Sequence, residues 1–265
     1  MKRRNPQTVP QLTETVDDGH QLQMSLWDHL NELRVRLTKA VIGLLIGSII
    51  GFIVSPSVLS FLQTPYGSEF ITLGPTDSFL AILRVALLVG GILAVPIITY
   101  QVLMFIVPGL TKKEKRFIIM SLPAVTILFV CGVLFTWFIL IPPAIDFFAD
   151  FAPDLFRAEW TADRYLSFVT SLIFWMGVAF QTPLLFFILG IMGFITAGKL
   201  VQNWRIAIIG SAIAAAIITP TVDPINMFLV VGPLLTLYLI SIFLVFIANR
   251  IFQRQVTPEP YSQQS

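Results

Sequence analysis

Charged side chains are scarce in this chain of 265 residues, because aspartate, glutamate, lysine and arginine together make up only 12% of it. A soluble globular domain carries about 25% charged residues. Hydrophobic residues make up 56% of the chain, and this much apolar surface must face something other than water. The composition therefore predicts an all-α protein that crosses a membrane several times.

Cysteine and histidine are rare as well, and the common signatures of catalysis are missing. Cys131 is the only cysteine, so no disulfide can form within the chain, and the two histidines, His20 and His29, lie outside the long apolar runs. The sequence contains no Gly-x-Ser-x-Gly, His-Glu-x-x-His, Walker or Gly-x-Gly-x-x-Gly motif. We therefore predict that the protein is not an enzyme and expect no metal, no cofactor and no nucleic-acid partner.

Long apolar runs predict six membrane-spanning helices, of which the fifth is short. Its 15 residues would form a helix of ~22 Å, whereas the hydrocarbon core of a bilayer is ~30 Å thick. Prolines should kink the second span at Pro96, end the third at Pro142 and Pro143, and lie inside the fourth at Pro183. The predicted spans are 38–58, 78–107, 117–141, 165–189, 204–218 and 225–247.

Glycines mark one face of the first predicted span. Gly43, Gly47 and Gly51 recur every four residues, so they share one face of the helix. Small residues at this spacing let a neighbouring backbone approach closely, which predicts a tight contact with another helix.

Lysine and arginine are distributed unevenly between the two sides of the predicted spans. Of the 17, 14 fall on the side that holds both termini, and the excess of basic residues predicts that this side faces the cytosol. We divide the chain into a disordered cytosolic tail (1–24), a six-helix membrane domain (25–249) and a second cytosolic tail (250–265).

The segment 25–39 predicts an amphipathic helix that lies on the membrane surface and then enters the first span. Its polar face presents the carboxylate of Glu32 where head groups and cytosol meet. A plainer interpretation of Glu32 is a salt bridge to Arg36, four residues further on. The apolar stripe consists of Leu26, Leu30, Leu33 and Leu37.

Three further polar residues are candidates for function. Glu114 follows a short turn before the third span, where it could equally serve as a charge at a helix N-terminus. Arg84 lies within the second span and needs a partner, for which Asp77 and Glu69 are the nearby carboxylates; a structural anchor is an equal alternative. Gln181 lies within the fourth span, where a buried amide must find hydrogen-bond partners, and a carbonyl freed by a neighbouring proline is one candidate.

Several motifs resemble, in order along the chain, those of the TatC family, the multispanning subunit of the twin-arginine translocase. The motifs cover residues 25–246 and agree with six spans and a short fifth span. They are His29-Leu30-x-Glu32-Leu33-Arg34-x-Arg36-Leu37, the run from Tyr100 to Leu110 followed by Glu114, Tyr165-Leu166-Ser167-Phe168, Gly177-x-x-Phe180-x-x-Pro183, and Thr219-Pro220 with Asp223-Pro224.

The resemblance implies a receptor subunit with a concave helix bundle that binds twin-arginine signal peptides and helps to export folded proteins with the proton gradient. It also implies TatA- and TatB-type single-span partners, contact with membrane lipids, a homo-oligomer within the complex, and a bacterial plasma membrane or a thylakoid membrane. Glu32, Glu114, Arg34 and Phe105 match signal-peptide-binding positions. Other positions implied to be functional are Pro65, Phe79, Gln101, Gln181 and Asp223, whereas Arg84 is a candidate because of its charge within a span.

The sequence departs from the family pattern at three positions. Gln181 stands where the family usually has a glutamate, Met227 stands near a usual glutamine, and Leu239 stands where a glutamate is frequent. The first departure puts a proton-carrying role of that side chain in doubt. The alternative functions are a small-molecule or ion transporter, which would need more charge near the bilayer centre, and an intramembrane hydrolase, which would need a nucleophile and a base.

Overall fold

The computed structural model describes residues 26–106, 112–150, 154, 159–219 and 224–256, and its side chains are described over 27–105, 122–150, 154, 159–219 and 224–250. These residues form α-helices joined by short turns, and a single β-bridge pairs Ile71 with Thr161. The helices are α1 (Leu26–Gln63), α2 (Asp77–Ile106), α3 (Lys112–Phe135), α4 (Ile141–Ala149), α5 (Ala162–Ala179), α6 (Thr182–Ile191), α7 (Ala197–Gln202), α8 (Trp204–Ile218) and α9 (Pro224–Val256), with a π turn (Thr136–Leu140) between α3 and α4.

The length and apolarity of the helices confirm the polytopic architecture. Within the described residues, five helical stretches are long and apolar enough to cross a membrane, and α8 is a shorter apolar helix. The predicted surface segment and the first predicted span form one uninterrupted helix of 38 residues. The fifth predicted span coincides with α8, and its 15 residues correspond to ~22 Å.

The glycine face of α1 packs against α2 as the sequence predicts. A Cβ atom on Gly47 would lie 2.7 Å from the carbonyl oxygen of Gly90, and one on Gly51 would overlap the carbonyl oxygen of Ala86. The contacts on α2 have decreasing residue numbers as those on α1 increase, so the two helices are antiparallel. The start of α1 and the end of α2 therefore lie at the same end of the bundle.

The third span does not end at Pro142 and Pro143, contrary to the sequence-based expectation. The π turn precedes these prolines, which occupy the first turn of α4, and the helical path continues to Ala149. Proline is tolerated there because the first amide groups of a helix have no partner within it. The buried hydroxyl of Thr136, at the start of the π turn, donates to the carbonyl of Gly132 at 2.8 Å.

Pro183 lies inside the fourth span, Ala162–Ile191, as the sequence predicts, and the span consists of two helices. Helix α5 ends at Ala179, and α6 begins at Thr182 with Pro183 in its first turn. The break lies at Phe180 and Gln181. A proline in the first turn lacks only an amide hydrogen that would have been unpaired anyway, so a break accommodates it at lower cost than a helix interior does.

Aromatic packing and hydrogen bonds join the connections at the end of the bundle opposite the start of α1. The Tyr66 ring stacks on Trp160 with 5.1 Å between centroids, and its hydroxyl accepts the Trp160 amide at 3.0 Å. Tyr165 donates its hydroxyl to the Leu62 carbonyl at 2.8 Å. The α1–α2 connection and the start of α5 therefore form one packed unit.

Candidate functional site

The first helix presents its polar face beside the end of α2. The His29 ring stacks on Phe105, with 4.3 Å between ring centroids and 23° between the planes. Glu32 lies one turn further along α1, and Gln101 lies one turn before Phe105 on α2, so the two helices present these four side chains at one end of their hairpin. Both Gln101 and Phe105 are half-buried.

Only one oxygen of the Glu32 carboxylate has a partner among the described residues. Arg36 forms a salt bridge to its Oε1 atom, as the plainer interpretation of the sequence predicts, and the side chain of Glu32 is only 16% exposed. The other oxygen, Oε2, is buried and accepts no hydrogen bond from any described residue. A buried carboxylate oxygen without a donor costs roughly 1–3 kcal/mol or more, so it is a ready acceptor for a ligand.

Of the other predicted functional residues, Arg34 lies close to Glu32 along the chain, whereas the side chains of Glu114 and Asp223 are outside the described part. Arg34 is exposed on α1, with its carbonyl accepting the hydroxyl of Thr38 at 2.8 Å. Glu114 falls within α3, whose first residues follow the end of α2, and its side chain lies outside the described part. Asp223 also lies outside the described residues.

Two predicted functional residues lie far from Glu32. Pro65 follows the end of α1 and is half-buried, and Phe79 lies in the first turn of α2 and is 58% exposed. Helix α1 is 38 residues long, about 57 Å, so both residues belong to the opposite end of the hairpin. The structure thus distributes the predicted functional residues over both ends of the bundle.

Arg84 pairs with a carboxylate that the sequence analysis did not consider. Its Nη2 atom lies 2.9 Å from Oδ1 of Asp163, and its Nη1 donates to the Asp163 carbonyl at 3.0 Å. The two candidates named from the sequence are not its partners. Asp77 instead accepts the backbone amides of Leu73 and Gly74 at 2.8 and 2.9 Å.

Gln181 is half-buried at the break between α5 and α6, and its side-chain amide forms no hydrogen bond with the described residues. The carbonyl freed by Pro183, which was one candidate partner, is therefore not bonded to it. The break itself explains the difference, because it places the residue at a helix start, where its backbone amide bonds to Val178 at 3.0 Å.

One polar residue that the sequence analysis did not select organises the same end of the bundle on the other side. Asn249 donates to the carbonyls of Gly190 and Ile195 at 3.2 and 3.1 Å, and its Oδ1 accepts the amide of Ala197 at 3.0 Å. Its side chain thus fixes the α6–α7 connection against α9. The sequence feature that could have identified it is an asparagine near the end of a long apolar run, where a side-chain amide needs hydrogen-bond partners.

These features define a polytopic helical membrane protein with a candidate acceptor carboxylate near the start of α1, and the comparisons with known proteins agree with this architecture. The model of the family "Sec-independent protein translocase protein (TatC)" matches residues 28–233. The chloroplastic TATC protein of Pisum sativum is 38% identical over 86% of this chain, which spans 65% of the length of the pea protein. The TatC protein of Synechocystis is 35% identical over 88% of this chain and 91% of its own length.

Solved structures agree as well. A crystal structure of the twin-arginine translocase receptor TatC superposes with a TM-score of 0.76 and 38% identity, covering 84% of this chain and all of that one. The chain therefore belongs to the TatC family of Sec-independent protein translocase proteins. It is a multi-pass membrane component of a protein translocase, and its cyanobacterial and chloroplast relatives fit either a bacterial plasma membrane or a thylakoid membrane. The comparisons support this function and not the small-molecule or ion transporter.

Proposed function

We propose that the chain is the receptor subunit of a twin-arginine translocase and that the Glu32 carboxylate binds the arginine pair of a signal peptide. The observation that carries this proposal is the buried Oε2 atom of Glu32, which has no partner among the described residues and lies one helical turn from the ring of His29 that stacks on Phe105. The crystal structure of a related receptor, 38% identical to this chain, supports the receptor role.

The chemistry of the Glu32 carboxylate favours arginine over lysine. A guanidinium can donate two parallel hydrogen bonds to a carboxylate, whereas an ammonium acts as a point charge. An exposed ion pair contributes only ~0–1 kcal/mol. The Glu32 side chain is only 16% exposed, so an incoming guanidinium would lose less of its interaction to solvent screening, and it would supply the donor that Oε2 lacks.

The remainder of the binding surface is proposed by extension. Glu114 would supply the second carboxylate, with Arg34 and Phe105 completing the surface, and the apolar segment of the signal peptide would pack along the helices. TatA- and TatB-type single-span proteins and further copies of this chain would complete the translocase. In this proposal both termini face the cytosol, and the protein exports folded cargo with the proton gradient without acting as an enzyme.

Photo-crosslinking tests whether a signal peptide occupies this pocket. The photoreactive analogue benzoylphenylalanine replaces Phe105 in one variant and Phe228, which is 69% exposed at the start of α9, in a control variant. We expect a twin-arginine precursor to crosslink from position 105 and not from position 228, and a twin-lysine precursor to crosslink from neither. Absence of a crosslink from position 105, or equal crosslinking of both precursors there, would contradict the proposal.

A further inference from the structure

A long apolar groove lies between α7, α8 and α9, and Glu32 is not among the residues that line it. It has a volume of about 770 Å³, within the ~300–1,000 Å³ typical of pockets for small organic ligands. The residues of α9 that line it extend from Leu235 to Phe246, a distance of ~16 Å along the helix. Gly198 and Trp204 line its opposite wall.

The interior of the groove offers little to a polar ligand. Among the lining residues of α9, Tyr238 has a hydroxyl group. This hydroxyl already donates a hydrogen bond to the carbonyl of Leu200 at 2.6 Å. Large apolar side chains remain open to the outside, with Leu239 65% exposed and Phe243 64% exposed. The groove therefore suits a flexible hydrocarbon chain.

Two arginines mark one end of the groove. The guanidinium carbon of Arg250 lies 4.5 Å from the centroid of the Phe246 ring, and that of Arg205 lies 5.6 Å from the centroid of the Trp204 ring. Both rings line the groove. Helices α7, α8 and α9 contain no aspartate or glutamate, and neither arginine forms an ion pair with the residues that the structure describes.

The charge is confined to this end. Lys199 adds a third exposed cation on α7, whereas the groove wall towards Leu235 contains no charged side chain. A ligand that matches this arrangement has an anionic head group at one end and a hydrocarbon chain at the other. Basic sites between membrane helices are a known means of binding anionic head groups.

We propose that the groove binds one molecule of an anionic phospholipid, with its phosphate between Arg205 and Arg250 and one acyl chain along α9. Guanidinium groups form strong, charge-assisted hydrogen bonds with phosphate oxygens, and the aromatic rings beneath them hold both arginines at the mouth of the groove. The lipid would cover an apolar face that α8, with only 15 residues, leaves open. This site does not depend on the binding of signal peptides.

Native mass spectrometry of the full chain tests the proposal. The purified protein is titrated with phosphatidylglycerol, with phosphatidylcholine of the same acyl chains, and with glycerol 3-phosphate, which carries the phosphate without the chains. We expect one tightly bound phosphatidylglycerol, weaker binding of phosphatidylcholine, and no retention of glycerol 3-phosphate. Equal affinity for the two lipids, or retention of the soluble phosphate at the same site, would overturn the proposal.

Variants of the two arginines test the head-group contacts separately from the groove. Arg205→Gln and Arg250→Gln should each weaken phosphatidylglycerol binding about fivefold, as expected for a basic residue near an anionic head group, and should leave phosphatidylcholine binding unchanged. Arg164→Gln removes the same charge from an exposed position on α5, outside the groove, and is the control. The proposal fails if the control reduces binding as much as these variants do.

The groove itself can be filled without distorting the protein. Gly198 lines the groove and a Cβ atom there meets nothing within 4 Å, so Gly198→Leu adds a side chain at the groove wall without a clash at its Cβ. Gly210 on α8 is equally open but does not line the groove, so Gly210→Leu is its matched control. We expect Gly198→Leu alone to reduce lipid retention. Unchanged retention in that variant, or release of a bound single-span protein in place of lipid, would overturn the proposal.

Discussion

Arg84 and Asp163 tie the start of α2 to the start of α5 through two contacts from one guanidinium. One contact is the ion pair at 2.9 Å, and the other is a hydrogen bond to the Asp163 backbone carbonyl at 3.0 Å. The side chains remain 33% and 45% exposed, respectively. A charge that the sequence places inside an apolar run is thus paired, with part of both side chains still exposed.

This geometry predicts unequal effects of removing the two partners. Asp163→Asn abolishes the ion pair but leaves the backbone acceptor, and a partly exposed pair contributes at most about 1 kcal/mol. Arg84→Gln loses both contacts. We expect a fall in melting temperature of at most about 2–4 °C for Asp163→Asn and a larger fall for Arg84→Gln, measured by thermal unfolding in detergent. Arg164→Gln, on the neighbouring exposed arginine, is the control and should have little effect.

The close approach of α1 and α2 predicts that substitution by alanine lowers stability at Gly51 but not at Gly210. Gly51→Ala would force its new methyl group into the carbonyl oxygen of Ala86, so the two helices must separate. Overpacking of this kind costs ~1–3 kcal/mol. Gly210→Ala, where a Cβ atom meets nothing within 4 Å, should be neutral or slightly stabilising. Equal melting temperatures of the two variants would show that the α1–α2 contact is looser than the structure indicates.

The uneven distribution of basic residues predicts which side of the membrane each end faces. In a Cys131→Ser background, we introduce Asp28→Cys near the start of α1 and Asp154→Cys beyond α4, both at exposed positions. A membrane-impermeant maleimide added to intact cells should label position 154 at once and position 28 only after permeabilisation. Labelling of position 28 in intact cells would contradict the predicted orientation.

Gln181 should act as a neutral polar group and not as a proton carrier. Its amide is half-buried and forms no bond within the described residues, so it is available to water or a passing peptide. We expect Gln181→Glu, the usual family residue, to retain transport and Gln181→Leu to impair transport more than thermal stability. Normal export of a twin-arginine precursor by Gln181→Leu would reduce the role of this side chain to packing.

Regular features of the fold follow closely from the sequence, whereas local breaks do not. The apolar runs and the spacing of Gly43, Gly47 and Gly51 predict the helices and the α1–α2 contact, because both depend on composition and periodicity. The extension of the third span past Pro142 depends on a π turn, and the break before Pro183 depends on how two half-helices pack. Neither has a signal in one local window.

In the candidate site, too, some features are predicted by the sequence and others are not. Glu32 and its bridge to Arg36 are predicted by a spacing of four residues along one helix. The partner of Arg84 is 79 residues away in the chain, so proximity in sequence pointed to Asp77 and missed Asp163. The stack of His29 on Phe105 likewise depends on the docking of α1 against α2, which side-chain spacing alone does not specify.

The affinity of the purified chain for a twin-arginine signal peptide, compared between Glu32→Gln and Asp28→Asn, tests the central claim most directly. Both substitutions remove one negative charge from the first turns of α1, but Asp28 is exposed, whereas Glu32 holds the buried, unpaired oxygen. A hydrogen bond to a charged group contributes ~1.5–3 kcal/mol, so Glu32→Gln should weaken binding at least about tenfold, and the addition of Glu114→Gln should abolish it. Asp28→Asn should bind like the unmodified chain, and a twin-lysine peptide should bind weakly to every variant. Unchanged affinity in Glu32→Gln at low salt, or an equal loss in Asp28→Asn, would contradict the account.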